Sequence, residues 1–317
     1  MTTTLALPST RNIQKAENFE AKHLIFTSGL ELKVADLETG SIDTLFSFKK
    51  DNKKIKPAWL ESLAYHDHNL WVGCSYIGVR NVKDKKLFPR PGTVSSIVSF
   101  NGTLYDAGGY GIRETFANKI IVSEDDLNNR GVYKISDLFI HNDSLMAVCE
   151  WNIPGGGPNG YMLRNVERNG KIVAPYGNQP SIETHGLKQG KAISLDGGIL
   201  STLATTHVDQ EEDWLLFDGK PVQGTHIKYG EYCSLAFDSA RRILYAAFSR
   251  PRSTWYEPKQ ITAFRVYNHG RQILCHPITE IATDLEGDVL GLLLVNEQQL
   301  ESIKNKDQCP KYLPAPK

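Results

Sequence analysis

A chain of 317 residues, 40% of them hydrophobic, can bury a sizeable core, and no run approaches the roughly 18 apolar residues of a membrane-spanning helix. Its 36 basic and 36 acidic residues cancel, which argues against a nucleic-acid binder that relies on a broad basic footprint. Five cysteines (Cys74, Cys149, Cys233, Cys275 and Cys309) are scattered without C-x-x-C spacing, and four of them lie in or beside expected strands, where a free Cys behaves as a small buried hydrophobe.

The N-terminal MTTTLALPSTRNIQ lacks a basic start followed by a long apolar core, so it does not read as a secretory signal, and a cytoplasmic protein with reduced thiols is expected. Residues 23–29, 30–40 and 41–48 read as three strands of a sheet that lacks an inner member. The basic run Lys49–Lys56 falls in the following connection and reads as a solvated loop.

From residue 60 onward one pattern recurs: a short apolar run, a polar turn, and a second apolar run beginning at Leu or Ile. It appears at 60–70, 94–104, 135–145, 190–200, 232–244 and 289–300. Aligned on Leu63, Ile97, Leu138, Ile193, Leu235 and Leu292, the units carry a small or short residue one place earlier: Ser62, Ser96, Asp137, Ala192, Ser234 and Gly291. A strand apolar on both faces with one small column suits the inner strand of a propeller blade, squeezed between its neighbours. The anchors stand 34, 41, 55, 42 and 57 residues apart, near the length of a four-stranded blade with insertions in two units.

Too little chain follows Leu300 for three more strands, so the strand near 289–295 is expected to complete the blade begun by residues 23–48 and close the ring. The expectation is one all-β domain over 1–317, a propeller of six four-stranded blades with irregular tails at 1–21 and 301–317. Seven blades is the alternative, if 278–284 (ITEIATD) forms a further inner strand and not the outer strand of the unit that begins at Tyr232. No window holds a capped apolar stripe of helical period. Asn101-Gly-Thr103 and Asn142-Asp-Ser144 match the glycosylation sequon but fall in hairpin turns, where Asn is favoured anyway.

In such a blade the turns between first and second strands share one face. The connections between blades and the loops between second and third strands share the other. Here the first set is short, whereas 151–160, 205–213 and 249–259 are long loops of the second set. Binding residues concentrate on long loops of a rigid scaffold. That face therefore carries the candidates: Trp59, Tyr76, Tyr110, Trp151, Asn152, Tyr232, and the cation–aromatic group Arg250, Arg252, Trp255 and Tyr256. At the channel mouth, period-two alternation from the start of each inner strand groups Glu61, Glu231 and Asp288, with His185 leading into the fifth unit. Three carboxylates suit a hard cation of the calcium type; alternatively they pair with Lys134 and Lys191 around a water-filled channel.

The repeats resemble the β-propeller class over residues 22–300, without the Gly-His and Trp-Asp dipeptides of WD repeats or the paired-glycine column of kelch repeats. Six-bladed calcium-dependent lactonases of the gluconolactonase and senescence-marker type place acidic and Asn ligands at the channel mouth. That resemblance implies Glu61, Asp288 and Asn152 as the positional counterparts. Two functions follow as expectations. One is a module that binds a small molecule or a protein partner on the loop-rich face. The other is a metal-dependent hydrolase in which Glu61, Glu231 and Asp288 hold the cation and His185 moves protons. The acidic group around His207 and the glycines of 155–160 read as surface loops.

Overall fold

The computed structural model describes residues 20–51, 56–128, 132–151, 159–166, 172–173, 182–184, 190–202, 212–228, 231–249, 260–269, 272–283 and 285–305. Five four-stranded antiparallel sheets follow the order expected of propeller blades. The first to be completed in sequence is Leu60–His66, Asn69–Cys74, Gly78–Asn81 and Leu87–Phe88, followed by Val94–Phe100, Thr103–Gly108, Gly111–Glu114 and Lys119–Ser123. Two more are built on the inner strands Ala192–Leu195 and Glu231–Asp238. The last is the closure: Leu292–Val295 pairs antiparallel with His23–Ser28, which pairs with Glu31–Asp36 and then Ile42–Ser47.

The expectation of six equal four-stranded blades needs correction. Residues 132–184 form a sheet of five strands, because the outer edge of Asn159–Val166 is shared by two short pieces. Ile172–Val173 pairs with its C-terminal end and Ile182–Thr184 with its N-terminal end. The seven-blade alternative also fails, since 278–282 lies within the outer strand Gln272–Ala282, paired with Gln260–His269. A small ribbon, Glu212–Asp213 with Ile227–Lys228, was not expected either.

The inner strands pack side by side around the axis: Leu60–His66 on Val94–Phe100, then Val132–His141, Ala192–Leu195, Glu231–Asp238, Leu292–Val295 and back to Leu60–His66. Apolar clusters fill the spaces between adjacent sheets. Ile25, Leu32, Leu60, Leu63 and Val72 lie in one, and Leu138, Leu145, Ile112 and Val122 in another. The inner hairpins turn on two residues with positive φ: Asp67-His68, Asn101-Gly102, Asn142-Asp143 and Asp196-Gly197. Such turns match the right-handed twist of the paired strands.

Residues 297–304 depart from the sequence reading. The segment taken as a turn and a further apolar run is the helix Glu297–Lys304. Asn296 accepts from the Gln299 N–H while the Gln299 side chain takes the Asn296 N–H, so both ends of the capping box are made. Leu300 and Ile303, one turn apart, bury in the apolar cluster between the closing sheet and the sheet of residues 60–88.

Candidate functional site

Four of the six inner strands break their pairing at the same place. The ladder skips Glu61 between Leu60 and Ser62, Ser95 between Val94 and Ser96, Ser136 between Ile135 and Asp137, and Cys233 between Tyr232 and Ser234. These are bulges two places before the anchor, and a bulge re-aims its side chain. In the two remaining units a threonine hydroxyl takes over: Thr202 Oγ1 accepts from the Lys191 N–H at 2.9 Å, and Thr27 Oγ1 accepts from Leu290 and Gly291. The regular alternation assumed from sequence therefore does not run through the channel mouth.

Below the bulges a channel of about 350 Å³ is lined by the small column and the anchors, with Asp137 and Lys191 in its wall. The Lys191 ammonium donates to the carbonyl oxygens of Ser95 at 2.9 Å and Ser136 at 3.3 Å, with Asp137 3.7 Å away. Asp137 in turn accepts from Ser96 Oγ at 2.7 Å and the Ala192 N–H at 3.0 Å. Burial pushes the Asp137 carboxyl above its usual range, against the pull of Lys191. The protein thus places its own cation among the bulge carbonyls. Of the two lysines offered as alternative partners for Glu61, Glu231 and Asp288, Lys191 lies 3.7 Å from Asp137 and Lys134 lies 3.1 Å from Glu150.

Above that level lies a cavity of about 520 Å³ lined by Trp59, Glu61, Tyr76, Pro91, Gly92, Thr93, Ser95, Gly109, Tyr110, Glu124, Tyr133 and Lys134. Its walls come from the connections leading into inner strands and from the short loops after second strands. Three of the expected binding residues, Trp59, Tyr76 and Tyr110, meet there.

Ser75 fixes this corner. Its hydroxyl accepts from the Trp59 N–H at 2.8 Å and donates to the Trp59 carbonyl at 3.0 Å, tying the incoming connection to the loop at 75–77. Tyr76 sits in the left-handed region at φ 61°, and Gly78 follows at φ 121°, where a Cβ would stand 2.1 Å from the Phe88 carbonyl oxygen. Only glycine fits there, and the chain turn it permits holds Tyr76 outward. The Trp59 and Tyr76 rings meet edge to face with centroids 5.6 Å apart. Trp59, Tyr76 and Tyr133 keep 40%, 65% and 61% of their surface exposed.

Glu61 is fully buried, and its carboxylate accepts from Trp59 Nε1. Tyr110 is wall and support: it is buried, and its hydroxyl donates to Asp106 at 2.6 Å. Burial, reinforced by Asp106, raises the Tyr110 phenol well above its ordinary value. Behind it, Arg90 grips both Asp106 oxygens at 2.6 Å, and Thr115 adds a bond at 2.9 Å. That network braces the connection carrying Pro91 and Gly92.

The other expected residues are dispersed. Asp288 is exposed and lies outside this cavity. Tyr232 is buried, its hydroxyl donating to the Thr225 carbonyl at 2.6 Å beside a separate cavity of about 320 Å³. Glu231 opens its strand, paired with Ser249, but its side chain, like that of Trp151, lies outside the described residues. His185, Asn152, Arg250, Arg252, Trp255 and Tyr256 lie wholly outside them, as do nearly all of the loops 151–160, 205–213 and 249–259. Among the described residues no group of three or more His, Cys, Asp and Glu side chains is placed to hold a metal ion. Tyr133 and Glu124 were missed from sequence. Tyr133 stands one place before Lys134 at the head of an inner strand, a position that alternation assigned away from the mouth.

No protein-family model matches the chain, and no curated protein matches it significantly. Solved structures are similar to it at TM-scores below 0.5. The chain is similar to the hydrazine synthase of Kuenenia stuttgartiensis, at 13% identity over 74% of this chain and 70% of that one, with a TM-score of 0.44. A quinonprotein alcohol dehydrogenase-like protein from Bacteroides thetaiotaomicron is 11% identical over 87% and 79% of the chains, with a TM-score of 0.44. The N-terminal domain of Nup159 is 12% identical over 72% and 71%, with a TM-score of 0.38. This chain is a β-propeller. At these similarities the relatives carry no argument about what it does. No helix among the described residues is long and apolar enough to cross a membrane.

Proposed function

We propose that the protein is a binding propeller that takes its ligand, a small molecule or a side chain of a protein partner, in the cavity at the channel mouth. The observation that carries this reading is the convergence of Trp59, Tyr76 and Tyr133, all substantially exposed, in one concave site. Exposed aromatics grouped in a cavity with a few polar groups are the usual composition of a recognition site. The loops at 151–160, 205–213 and 249–259, with Asn152, Arg250, Arg252, Trp255 and Tyr256, would extend the same face. We count the ring as six blades, the five-stranded sheet of residues 132–184 being the irregular one. A reducing, cytoplasmic setting suits Cys74 and Cys275, whose thiols burial pushes up to about 12 and so keeps unreactive.

The second reading, a calcium-type hydrolase using Glu61, Glu231, Asp288 and His185, draws support from the Glu61 carboxylate in the cavity wall. Against it stand the commitment of Glu61 to Trp59 and the exposed position of Asp288 away from the cavity. The binding reading is tested by a thermal-shift screen on the wild type and on a Trp59→Ala, Tyr76→Ala double variant, with calcium and a chelator among the additives. Compounds that stabilise the wild type should fail to stabilise the variant. Compounds that stabilise both equally would place the site elsewhere, and a wild type destabilised by the chelator alone would favour the hydrolase.

A further inference from the structure

We infer that the inner strands Val94–Phe100 and Val132–His141 build a seat for a monovalent cation, which the chain fills with its own Lys191 ammonium and which a potassium or ammonium ion would take in its place. The seat lies in the channel below the mouth cavity and does not depend on what that cavity holds. Two of the bulge residues, Ser95 and Ser136, turn their carbonyl oxygens to the Lys191 ammonium at 2.9 and 3.3 Å. They stand 96 and 55 residues from it in the sequence, so one cation joins three sheets. In the unit that supplies the cation the backbone is occupied otherwise. Thr202 Oγ1 accepts from the Lys191 N–H, and the Thr202 N–H donates to the Lys191 carbonyl, each at 2.9 Å. That unit thus presents an ammonium where its two neighbours present oxygen.

The distances separate a seat from an ordinary ion pair. Asp137 is farther from the ammonium, at 3.7 Å, than either carbonyl. Its carboxylate takes hydrogen bonds from Ser96 Oγ at 2.7 Å and the Ala192 N–H at 3.0 Å. It therefore contributes charge, while the carbonyls contribute the contact. A bulge leaves the ladder unpaired at one residue, and a buried carbonyl needs a partner. Here Lys191 is that partner, with 6% of its side chain exposed. A lysine so enclosed is tolerated only where its charge is met. One carboxylate among neutral oxygens balances a single positive charge. A divalent ion of the calcium type takes six to eight oxygens, commonly several carboxylates, and among the described residues no group of three His, Cys, Asp or Glu side chains is placed for one. Potassium and ammonium ions match the lysine head group in charge and nearly in size. The channel of about 350 Å³ already reaches both Lys191 and Asp137.

Thermal melting of Lys191→Ala in potassium chloride, ammonium chloride and tetramethylammonium chloride at one ionic strength tests this, the last cation being too large for the seat. The wild type, its seat filled, should melt at the same temperature in all three salts. The variant should melt below the wild type in tetramethylammonium chloride. Its midpoint should climb as potassium or ammonium replaces that cation, as expected of an ion bound by the folded chain alone. Lys191→Ala with Asp137→Asn, which removes both charges and strands neither, should lose the preference among salts. Where the single variant is already unfolded in tetramethylammonium chloride, refolding yield is compared in the same three salts, and potassium or ammonium should restore it. One midpoint, or one yield, in all three salts would overturn the seat and leave Lys191 as the partner of Asp137 only. A wild type with the same preference as the variant, or a double variant that keeps it in full, would overturn it as well.

Discussion

Asp106 accepts from three side chains in the sealed interior of its blade: Arg90 through Nε and Nη2, Tyr110 and Thr115. The pair carries opposite charges where neither has water to fall back on, so removing one partner leaves the other stranded. Asp106→Asn should therefore cost about 3–5 kcal/mol in chemical denaturation, whereas Tyr76→Ala on the exposed rim should cost less than about 0.5 kcal/mol. Equal costs would mean that the Arg90 network does not brace the cavity wall. None of this was legible in the sequence. Arg90 and Asp106 stand in different elements, and nothing in their local pattern announces a bidentate contact. Trp59, Tyr76 and Tyr110 were legible, because each sits at a topological position that a propeller turns toward the same face.

The recurring element is the inner hairpin, and most of its turns could be read residue by residue because two-residue turns favour Asn, Asp or Gly where φ is positive, His68 being the exception. What the same reading could not supply is the bulge at Glu61, Ser95, Ser136 and Cys233, since a skipped pairing leaves no trace in hydrophobic alternation. That omission grouped Glu61 with Asp288, which the structure leaves exposed and apart from the cavity. The hairpins also bond to one another. His66 Nδ1 meets Ser99 Oγ at 2.8 Å and His141 Nδ1 meets Ser194 Oγ at 3.0 Å, each reaching to the next inner strand.

Burial lowers both histidines below their ordinary value of 6.5, opposed by Asp67 at His66 and by Asp218 at His141. Above 6.5 the imidazoles are neutral folded or unfolded. As pH falls from 6.5 toward the lower folded values, the unfolded chain binds protons that the folded chain refuses, so stability drops. Melting temperature should fall between pH 7.5 and roughly pH 5.5 in the wild type, and the slope should flatten in a His66→Gln, His141→Gln double variant. A wild-type melting temperature that rises across this window would contradict the assignment.

At the scale of the molecule, the ring is held shut by four residues. Leu292–Val295 covers one edge of His23–Ser28, a strand buried along its whole length, and the helix Glu297–Lys304 seats Leu300 and Ile303 in the cluster between that blade and the next. Deleting residues 286–317 should remove most of the roughly 5–15 kcal/mol that holds a domain together; a truncated chain melting cooperatively near the full-length temperature would refute closure by this strand. The closure was legible because the N-terminal strands lacked an inner member and the C-terminal run lacked the other three. The split edge of residues 159–184 was not, because a strand shared end to end by two short segments looks like loop in sequence.

The short hairpin turns and the aromatic cavity involve different ends of the inner strands, and the proposed ligand is met at the cavity. Amide hydrogen exchange of the full chain, with and without a compound that stabilises the wild type but not the Trp59→Ala, Tyr76→Ala variant, tests that most directly. Protection is expected at 59–61, 75–77, 91–95 and 133–134, with the turns at 67–68, 101–102 and 142–143 unchanged. Protection confined to those turns, or to the rim around Tyr232, would contradict it.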